Sequence, residues 1–132
     1  MNSAYRTSPT TSGATVVMAT GRVTFHTAEV LRQQLLSLIA AGDTHLVVDL
    51  SGVDAMDSTG VGALISGVKA ARRAGGDLRL VAPSVPIAAM FTMMHLDSVL
   101  VACESAEEAF SVRTARDVRP KNVETGEETP SA

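Results

Sequence analysis

Apolar residues along this chain alternate between short runs and longer stripes with helical spacing. Residues 14–19 form a short run rich in β-branched side chains, and residues 45–50 form a nearly continuous apolar run, typical of a strand covered on both faces. Between them, residues 27–41 place apolar side chains three and four positions apart, which predicts a helix. That stripe consists of Ala28, Leu31, Leu35, Leu38 and Ile39.

The second half of the chain continues the alternation. The helix predicted after Ser58 carries Val61, Leu64, Ile65 and Val68 at helical spacing, and it ends at the glycines 75–76. Residues 78–81 and 99–103 are predicted strands, with a helix capped by Ser84 between them. Ser105-Ala106-Glu107-Glu108 matches a capping box, which predicts a last short helix.

This order of elements predicts an α/β fold, in which alternating α-helices pack on a mostly parallel central β-sheet. Residues 1–13 are rich in Ser, Thr, Pro and Gly without periodicity, so we expect a flexible segment there. From about Arg113 onward the apolar content falls, so residues 113–132 are predicted to be a disordered tail. A single domain is expected over residues 14–112.

Composition narrows the classes of protein that fit. The 132-residue chain has a formal net charge of -3, no Trp, one Tyr and 3% aromatic residues. Nucleic-acid binding relies on basic surfaces and stacking side chains, so direct contact with nucleic acid is not expected. No apolar stretch approaches the roughly 18 residues of a membrane span, and no apolar signal core is present at the N-terminus. We therefore expect a cytoplasmic protein with no membrane insertion.

Ser58 is the candidate functional residue. It follows the 45–50 strand and opens a helix, in the region past the carboxyl end of a parallel strand where α/β proteins place their sites. Of the nucleophile motif G-x-S-x-G only the second glycine, Gly60, is present, because Met56 occupies the first glycine position. A serine nucleophile is therefore not predicted.

Other catalytic or ligand-binding chemistry has little support. The histidines His26, His45 and His95 are scattered without metal-ligand spacing, so neither a catalytic base nor a metal site is predicted. Gly60-Val61-Gly62 lies at a helix start, where N–H groups bind phosphate, but the P-loop and dinucleotide-binding patterns are absent. We expect no enzyme activity, no cofactor and no metal.

Two compatible roles for Ser58 stay open from the residues alone. In the first, Ser58 or Asp57 caps the helix by accepting a hydrogen bond from an unpaired N–H group. In the second, an exposed Ser58 is phosphorylated, which adds about 1.5 to 2 negative charges at a helix N-terminus where the dipole tolerates them. The domain would stay folded, and the charge would act on whatever docks against the loop.

The run Asp57-Ser58-Thr59-Gly60, its strand approach, and the glycines 75–76 before the 78–81 strand resemble the STAS domain of bacterial anti-anti-sigma factors. Thr27-Ala28-x-x-Leu31 is similar to the first helix of that family, and Leu96-Asp97-x-Val99-Leu100 to the approach to its last strand. The resemblance covers about residues 14–112.

This resemblance implies an anti-sigma factor antagonist. In the family, the unphosphorylated domain binds an anti-sigma factor that is also an ATP-dependent serine kinase, which frees a sigma factor. The kinase phosphorylates the serine directly after the aspartate, here Ser58, and a separate serine phosphatase restores it. The domain itself catalyses nothing, and any ATP belongs to the kinase.

The resemblance also assigns roles to residues. Asp57 orients the loop and is recognised by the partner, while Thr59 and Gly60 shape the loop. The implied partner-binding set is Asp57, Ser58, Thr59, Gly60, Val61, Gly62 and Thr24. The family commonly carries two acids in G-E-[LIV]-D before its first helix, whereas this chain has Gly21-Arg22-Val23-Thr24. A cognate anti-sigma factor with altered charge is one explanation of this difference. His95 stands where the family has a glycine.

Two other functions are compatible with parts of the sequence. A non-sigma STAS interaction module, such as a stressosome-like scaffold or a subunit of a lipid-transport complex, would keep the fold without needing a phosphorylatable serine. The complete Asp57–Gly60 run favours the switch over that module. An enzyme or nucleotide binder that uses Ser58 or the glycines 60–62 would be stabilised against unfolding by its ligand.

Overall fold

Within residues 5–10 and 13–110, the part of the chain that the computed structural model describes, five strands form one sheet and four helices pack on it. The strands are β1 (Arg6–Pro9), β2 (Thr15–Val23), β3 (His45–Met56), β4 (Asp77–Val81) and β5 (Ala102–Cys103). The helices are α1 (Phe25–Ala40), α2 (Ser58–Arg73), α3 (Val85–Met93) and α4 (Ala106–Ala109). The strands are neighbours in chain order, with only the β1–β2 pair antiparallel among them. The predicted α/β fold with a mostly parallel sheet is confirmed.

Alternate side chains of the central strand β3 enter two separate cores. Leu46, Val48 and Leu50 pack in the core shared with α1, α2 and α3. Val47 belongs to a smaller core on the opposite face, where Ala109 of α4 packs. Because both faces of β3 are covered, its sequence is a continuous apolar run instead of an alternating one.

β2 and β3 are longer than their apolar runs predicted. The runs ended at Ala19 and Leu50, but the strands continue to Val23 and Met56 through two register shifts. The expected loop before Ser58 is therefore mostly strand. Its polar residues had pointed to a loop because side chains such as Ser51 are exposed there, while the backbone still pairs with β2.

The predicted 99–103 strand is shorter than expected, because only Ala102–Cys103 pairs with β4. The N–H groups of Val99 and Leu100 instead donate to the Leu96 carbonyl, at 3.0 and 2.7 Å. Leu100 is nonetheless 3% exposed. An apolar side chain fills the core equally well from a turn, so hydrophobicity alone did not locate the strand.

The prediction that residues 1–13 are all flexible does not hold for Arg6–Pro9, which form the edge strand β1. The Gln34 side chain of α1 accepts the Tyr5 N–H at 2.8 Å and donates to the Tyr5 carbonyl at 2.6 Å. This long-range anchor cannot be inferred from local composition. Residues 1–4, 11–12 and 111–132, with the predicted tail, lie outside the described residues.

A buried arginine joins α4 to the sheet. Arg79 is 8% exposed, and its Nε lies 3.3 Å from a carboxylate oxygen of Asp77. It also donates to the Ala109 carbonyl, and its guanidinium lies 4.5 Å from the centre of the Phe110 ring. These contacts satisfy a charge that would be costly to bury alone.

The structure agrees in part with the N-cap residues that the sequence predicts for α3 and α4. Ser105 caps α4 as predicted, since its hydroxyl accepts the Glu108 N–H at 3.3 Å. Ser84 is the N-cap residue of α3, but its side chain makes no capping bond with the described residues. His95, in the turn after α3, has φ +59°, a conformation that favours glycine. None of the described helices is long and apolar enough to cross a membrane.

The Tyr5–Gln34 pair gives a test of how β1 is held. We predict that Gln34→Ala lowers the free energy of unfolding by about 1–2 kcal/mol, because two hydrogen bonds are lost. The β1 amide protons should also exchange faster with solvent. Gln33→Ala, an exposed neighbour, should do neither. Equal effects of the two variants in denaturant unfolding and hydrogen exchange would contradict this account of the anchor.

Candidate functional site

The candidate site lies at the carboxyl edge of the sheet, where β2 and β3 end together. Val23 pairs with Met56, so the next residues, Thr24 and Asp57, start α1 and α2 from neighbouring points. The Asp57 N–H also donates to the Val23 carbonyl at 3.3 Å. The site is thus held by two parallel strands and two helix N-termini.

Asp57 is the N-cap of α2. One carboxylate oxygen accepts the N–H groups of Thr59 and Gly60, at 3.0 and 3.2 Å, and it also accepts the Thr59 hydroxyl. The Thr59 hydroxyl makes the largest contribution to lowering the pKa of Asp57, and the backbone bonds lower that pKa further. Asp57 is therefore a charged, fixed carboxylate at neutral pH.

Ser58 is the first residue of α2 and is exposed. The sequence left open whether Ser58 or Asp57 caps the helix, and the structure assigns the cap to Asp57. Within the described part of the chain, the Ser58 hydroxyl has no hydrogen-bond partner. The neighbouring hydroxyl of Thr59 is equally exposed but is bound to Asp57.

The remaining residues of the loop and helix divide by burial. Gly62 is exposed, whereas Gly60 and Val61, which were also predicted to bind a partner, are buried. Val61 is 1% exposed and packs in the core with α1 and the sheet. These two residues therefore seat the helix on the sheet and do not present side-chain surface to a partner.

Thr24 is brought to the same edge by the turn between β2 and α1. The Thr27 hydroxyl accepts the Thr24 N–H at 2.9 Å and donates to the Arg22 carbonyl at 2.6 Å. Thr24 is half-buried and Arg22 is exposed. The turn that lacks the family's two acids is thus fixed through its backbone by Thr27.

Sequence reasoning missed an aromatic residue beside the loop. Phe25, the first residue of α1, is 69% exposed and borders a cavity of about 660 Å³. The walls of this cavity, the α1–α2 groove, come from both helices and include Ala28, Thr59 and Ala63. A large aromatic side chain outside the buried stripe, in a chain with only three Phe, was the available signal.

A cluster of metal-binding side chains is absent from the described part of this site. Within the described residues, no three His, Cys, Asp or Glu side chains are placed to hold a metal ion. His26 is exposed and stacks edge-on against Phe25, with ring centres 5.2 Å apart. Among the described residues, the site presents a capped helix start with one serine hydroxyl, that of Ser58, that has no hydrogen-bond partner.

Comparison with known proteins gives one family and several similar folds. The sequence model of the STAS domain family matches residues 5–109. The fold is similar to that of protein TM1081 from Thermotoga maritima, with a TM-score of 0.73, 18% identity, and coverage of 80% of this chain and 90% of that chain. It is also similar to two structures of the anti-sigma factor antagonist SpoIIAA.

The unphosphorylated form of SpoIIAA matches with a TM-score of 0.63, 20% identity, and coverage of 91% of this chain and 100% of that chain. The phosphorylated form, from Bacillus, matches with a TM-score of 0.63, 23% identity, and coverage of 80% of this chain and 96% of that chain. At these identities the similarity is one of fold.

The cap predicts a pH dependence. The Asp57 carboxyl should titrate below the ordinary pKa of aspartate, so its contribution to stability is present above the unfolded-state pKa and is lost as pH falls through the folded-state pKa. Thr59→Val removes the hydroxyl donor but keeps both backbone bonds, so it should raise the pKa of Asp57. Carboxyl-carbon NMR titration measures both values, and an unchanged pKa in Thr59→Val would contradict this cause.

Two glycines of the same helix turn form a matched pair. A Cβ at Gly60 would lie 2.6 Å from Cγ of Met56 and 2.7 Å from the Val23 carbonyl oxygen, whereas a Cβ at Gly62 would meet no atom within 4 Å. Gly60→Ala should therefore destabilise the protein by about 2 kcal/mol or more through overpacking.

Gly62→Ala should stabilise the protein by about 0.5–1 kcal/mol, because alanine is the better helix former. Denaturant unfolding of both variants provides the measurement. A Gly60→Ala variant as stable as Gly62→Ala would show that α2 does not approach β2 as closely as described.

Proposed function

This chain belongs to the STAS domain family, and from that premise we propose that it is an anti-sigma factor antagonist that works by partner switching. In its unphosphorylated form it binds an anti-sigma factor with serine kinase activity, so that a sigma factor is released. Phosphorylation of Ser58 ends this binding, and a serine phosphatase restores it. The exchange takes place in the cytoplasm, where sigma factors act.

The observation that carries this proposal is the different state of two adjacent hydroxyls. Ser58 and Thr59 are both exposed, but the Thr59 hydroxyl donates to the Asp57 carboxylate. A kinase needs a hydroxyl that is free to enter its active site and attack the γ-phosphate of ATP. Ser58 meets this requirement without breaking a bond, whereas the Thr59 hydroxyl would first have to give up its hydrogen bond to Asp57.

The same cap supports an electrostatic switch. A phosphate on a helix N-terminus is ordinarily bound by the free N–H groups of the first turn. Here the N–H groups of Thr59 and Gly60 are already bonded to Asp57. A phosphate on Ser58 would therefore stay exposed to solvent beside the Asp57 carboxylate and would not be bound by these N–H groups.

This concentration of negative charge acts on the partner. A partner surface that covers the loop would have to desolvate about 1.5 to 2 additional negative charges, and acidic groups in that surface would be repelled. The fold would not change, because the helix dipole favours negative charge at this end. The domain acts only by binding, and the phosphoryl donor and the catalytic groups belong to the kinase.

The site of phosphorylation is tested by mass spectrometry. We predict that incubation with ATP and the cognate member of a panel of serine-kinase anti-sigma factors adds one phosphate at Ser58. Ser58→Ala should abolish the modification, whereas Thr59→Val should keep it. Phosphate on Thr59, or an unmodified protein with every kinase in the panel, would overturn the assignment.

The switch is tested by affinity. Ser58→Ala should bind the kinase constitutively, while Ser58→Asp should bind at least tenfold more weakly, because it carries charge at the loop. Ser58→Asn, which is of similar size and uncharged, is the matched control and should bind more tightly than Ser58→Asp. Equal affinities of all three variants in isothermal titration calorimetry would contradict the charge mechanism.

A further inference from the structure

The α1–α2 groove is apolar and adjoins the loop that carries Ser58. Phe25 borders it with 69% of its surface exposed, and Ala28 and Ala63, each 3% exposed, lie in its walls. Thr59 is also a wall residue. The groove therefore lies beside the proposed phosphorylation site, because Ser58 directly precedes the wall residue Thr59.

The charged residues in the groove walls neutralise one another. The Glu29 carboxylate accepts hydrogen bonds from Arg32, at 2.9 and 3.1 Å, and from Gln33 at 3.0 Å. These bonds lower the pKa of Glu29 to about 2, with Arg32 the larger cause, so the pair stays ionised and matched at neutral pH. A charged occupant would find the Glu29 and Arg32 charges already paired, and the polar His26 also lies in the walls. An apolar occupant would displace water from Phe25 and the alanines.

Resting on the function proposed above, we propose that the α1–α2 groove receives an apolar side chain of the kinase anti-sigma factor, with Phe25 as the anchor of the contact. An exposed aromatic side chain at the border of an apolar pocket has the character of an interface hot spot. The cavity of about 660 Å³ has room for a large aliphatic or aromatic side chain.

This arrangement couples the groove to Ser58. A partner side chain seated against Phe25 and Thr59 brings the surrounding partner surface over the adjacent Ser58, where water is then excluded. An apolar contact of this kind tolerates a serine hydroxyl but not a phosphate at its edge, because the phosphate must be desolvated. The groove contact thus supplies the binding free energy, and phosphorylation of Ser58 prevents the partner from making that contact.

The test uses the full chain and the kinase that phosphorylates Ser58, with every variant made in the Ser58→Ala background so that modification does not interfere. Phe25→Ala should weaken binding at least tenfold in isothermal titration calorimetry, and Phe25→Leu should recover part of the loss. The matched control is Met93→Ala on α3, because Met93 is 79% exposed and is not among the residues that line the groove. It should bind within twofold of the parent protein.

Each contrary result has a distinct meaning. Parent-like affinity of Phe25→Ala, while Ser58→Asp still loses binding, would overturn the groove contact and leave the proposed function standing. Equal losses in Phe25→Ala and Met93→Ala would place the apolar contact elsewhere and also overturn it. A self-associating protein that Phe25→Ala converts to monomer would assign the groove to a second copy. Failure of every kinase to bind the parent would overturn the proposed function together with the groove.

Circular dichroism tests whether the Phe25→Ala variant is still folded. The exposed position of Phe25 leads us to expect an unchanged spectrum. If the spectrum changes, the milder Phe25→Leu variant and line broadening of the Phe25 ring protons on addition of the kinase give the decisive readout. An unperturbed Phe25 ring in the complex would exclude the contact.

Discussion

The Asp57 carboxylate accepts hydrogen bonds from two N–H groups and one hydroxyl at the first turn of α2. Through them it fixes the start of the helix and engages the Thr59 hydroxyl, while the Ser58 hydroxyl has no hydrogen-bond partner among the described residues. It also uses the donors that would otherwise bind an anion. This one capping interaction, of a kind that is common in helices and needs no function, therefore determines which of the two hydroxyls is free. It also determines which N–H groups remain available to bind a charge placed on Ser58.

The cap depends in turn on how α2 meets the sheet. Gly60 lies so close to Met56 and to the Val23 carbonyl that a side chain does not fit, and Val61 is buried directly after it. The loop is consequently short, with only Asp57 between β3 and α2. A loop this short would suit the proposed switch, because a phosphate on Ser58 would change the surface without requiring a change of fold.

Sequence reasoning predicted the fold well because periodic burial determines both the helices and the central strands. It failed where long-range pairing decides the outcome. The polar strand Arg6–Pro9 depends on β2 and on Gln34, and the second half of β3 depends on the ladder to β2. At the site, the sequence located Ser58 correctly at the start of α2. It could not separate Ser58 from Asp57 as the cap, because both residue types favour that position.

Phe25 and the Thr24 turn show a further limit. An exposed Phe25 does not disturb the helical spacing of the buried residues, so the sequence pattern does not place it beside the loop. Its position there follows from the packing of α1 against α2. The turn from Arg22 to Thr24 lacks the two acids common in the family. Its backbone is nevertheless held by the Thr27 hydroxyl, which accepts the Thr24 N–H and donates to the Arg22 carbonyl. The missing acids thus change the charge at a turn whose backbone is held by Thr27.

The central claim is that phosphate on Ser58 changes what the protein binds without changing how it folds. The most direct test compares the protein phosphorylated at Ser58 with the unphosphorylated protein in affinity for the kinase anti-sigma factor and in far-ultraviolet circular dichroism. We predict loss of binding with superimposable spectra. Equal affinity of the two forms, or a large loss of helical signal on phosphorylation, would contradict the account.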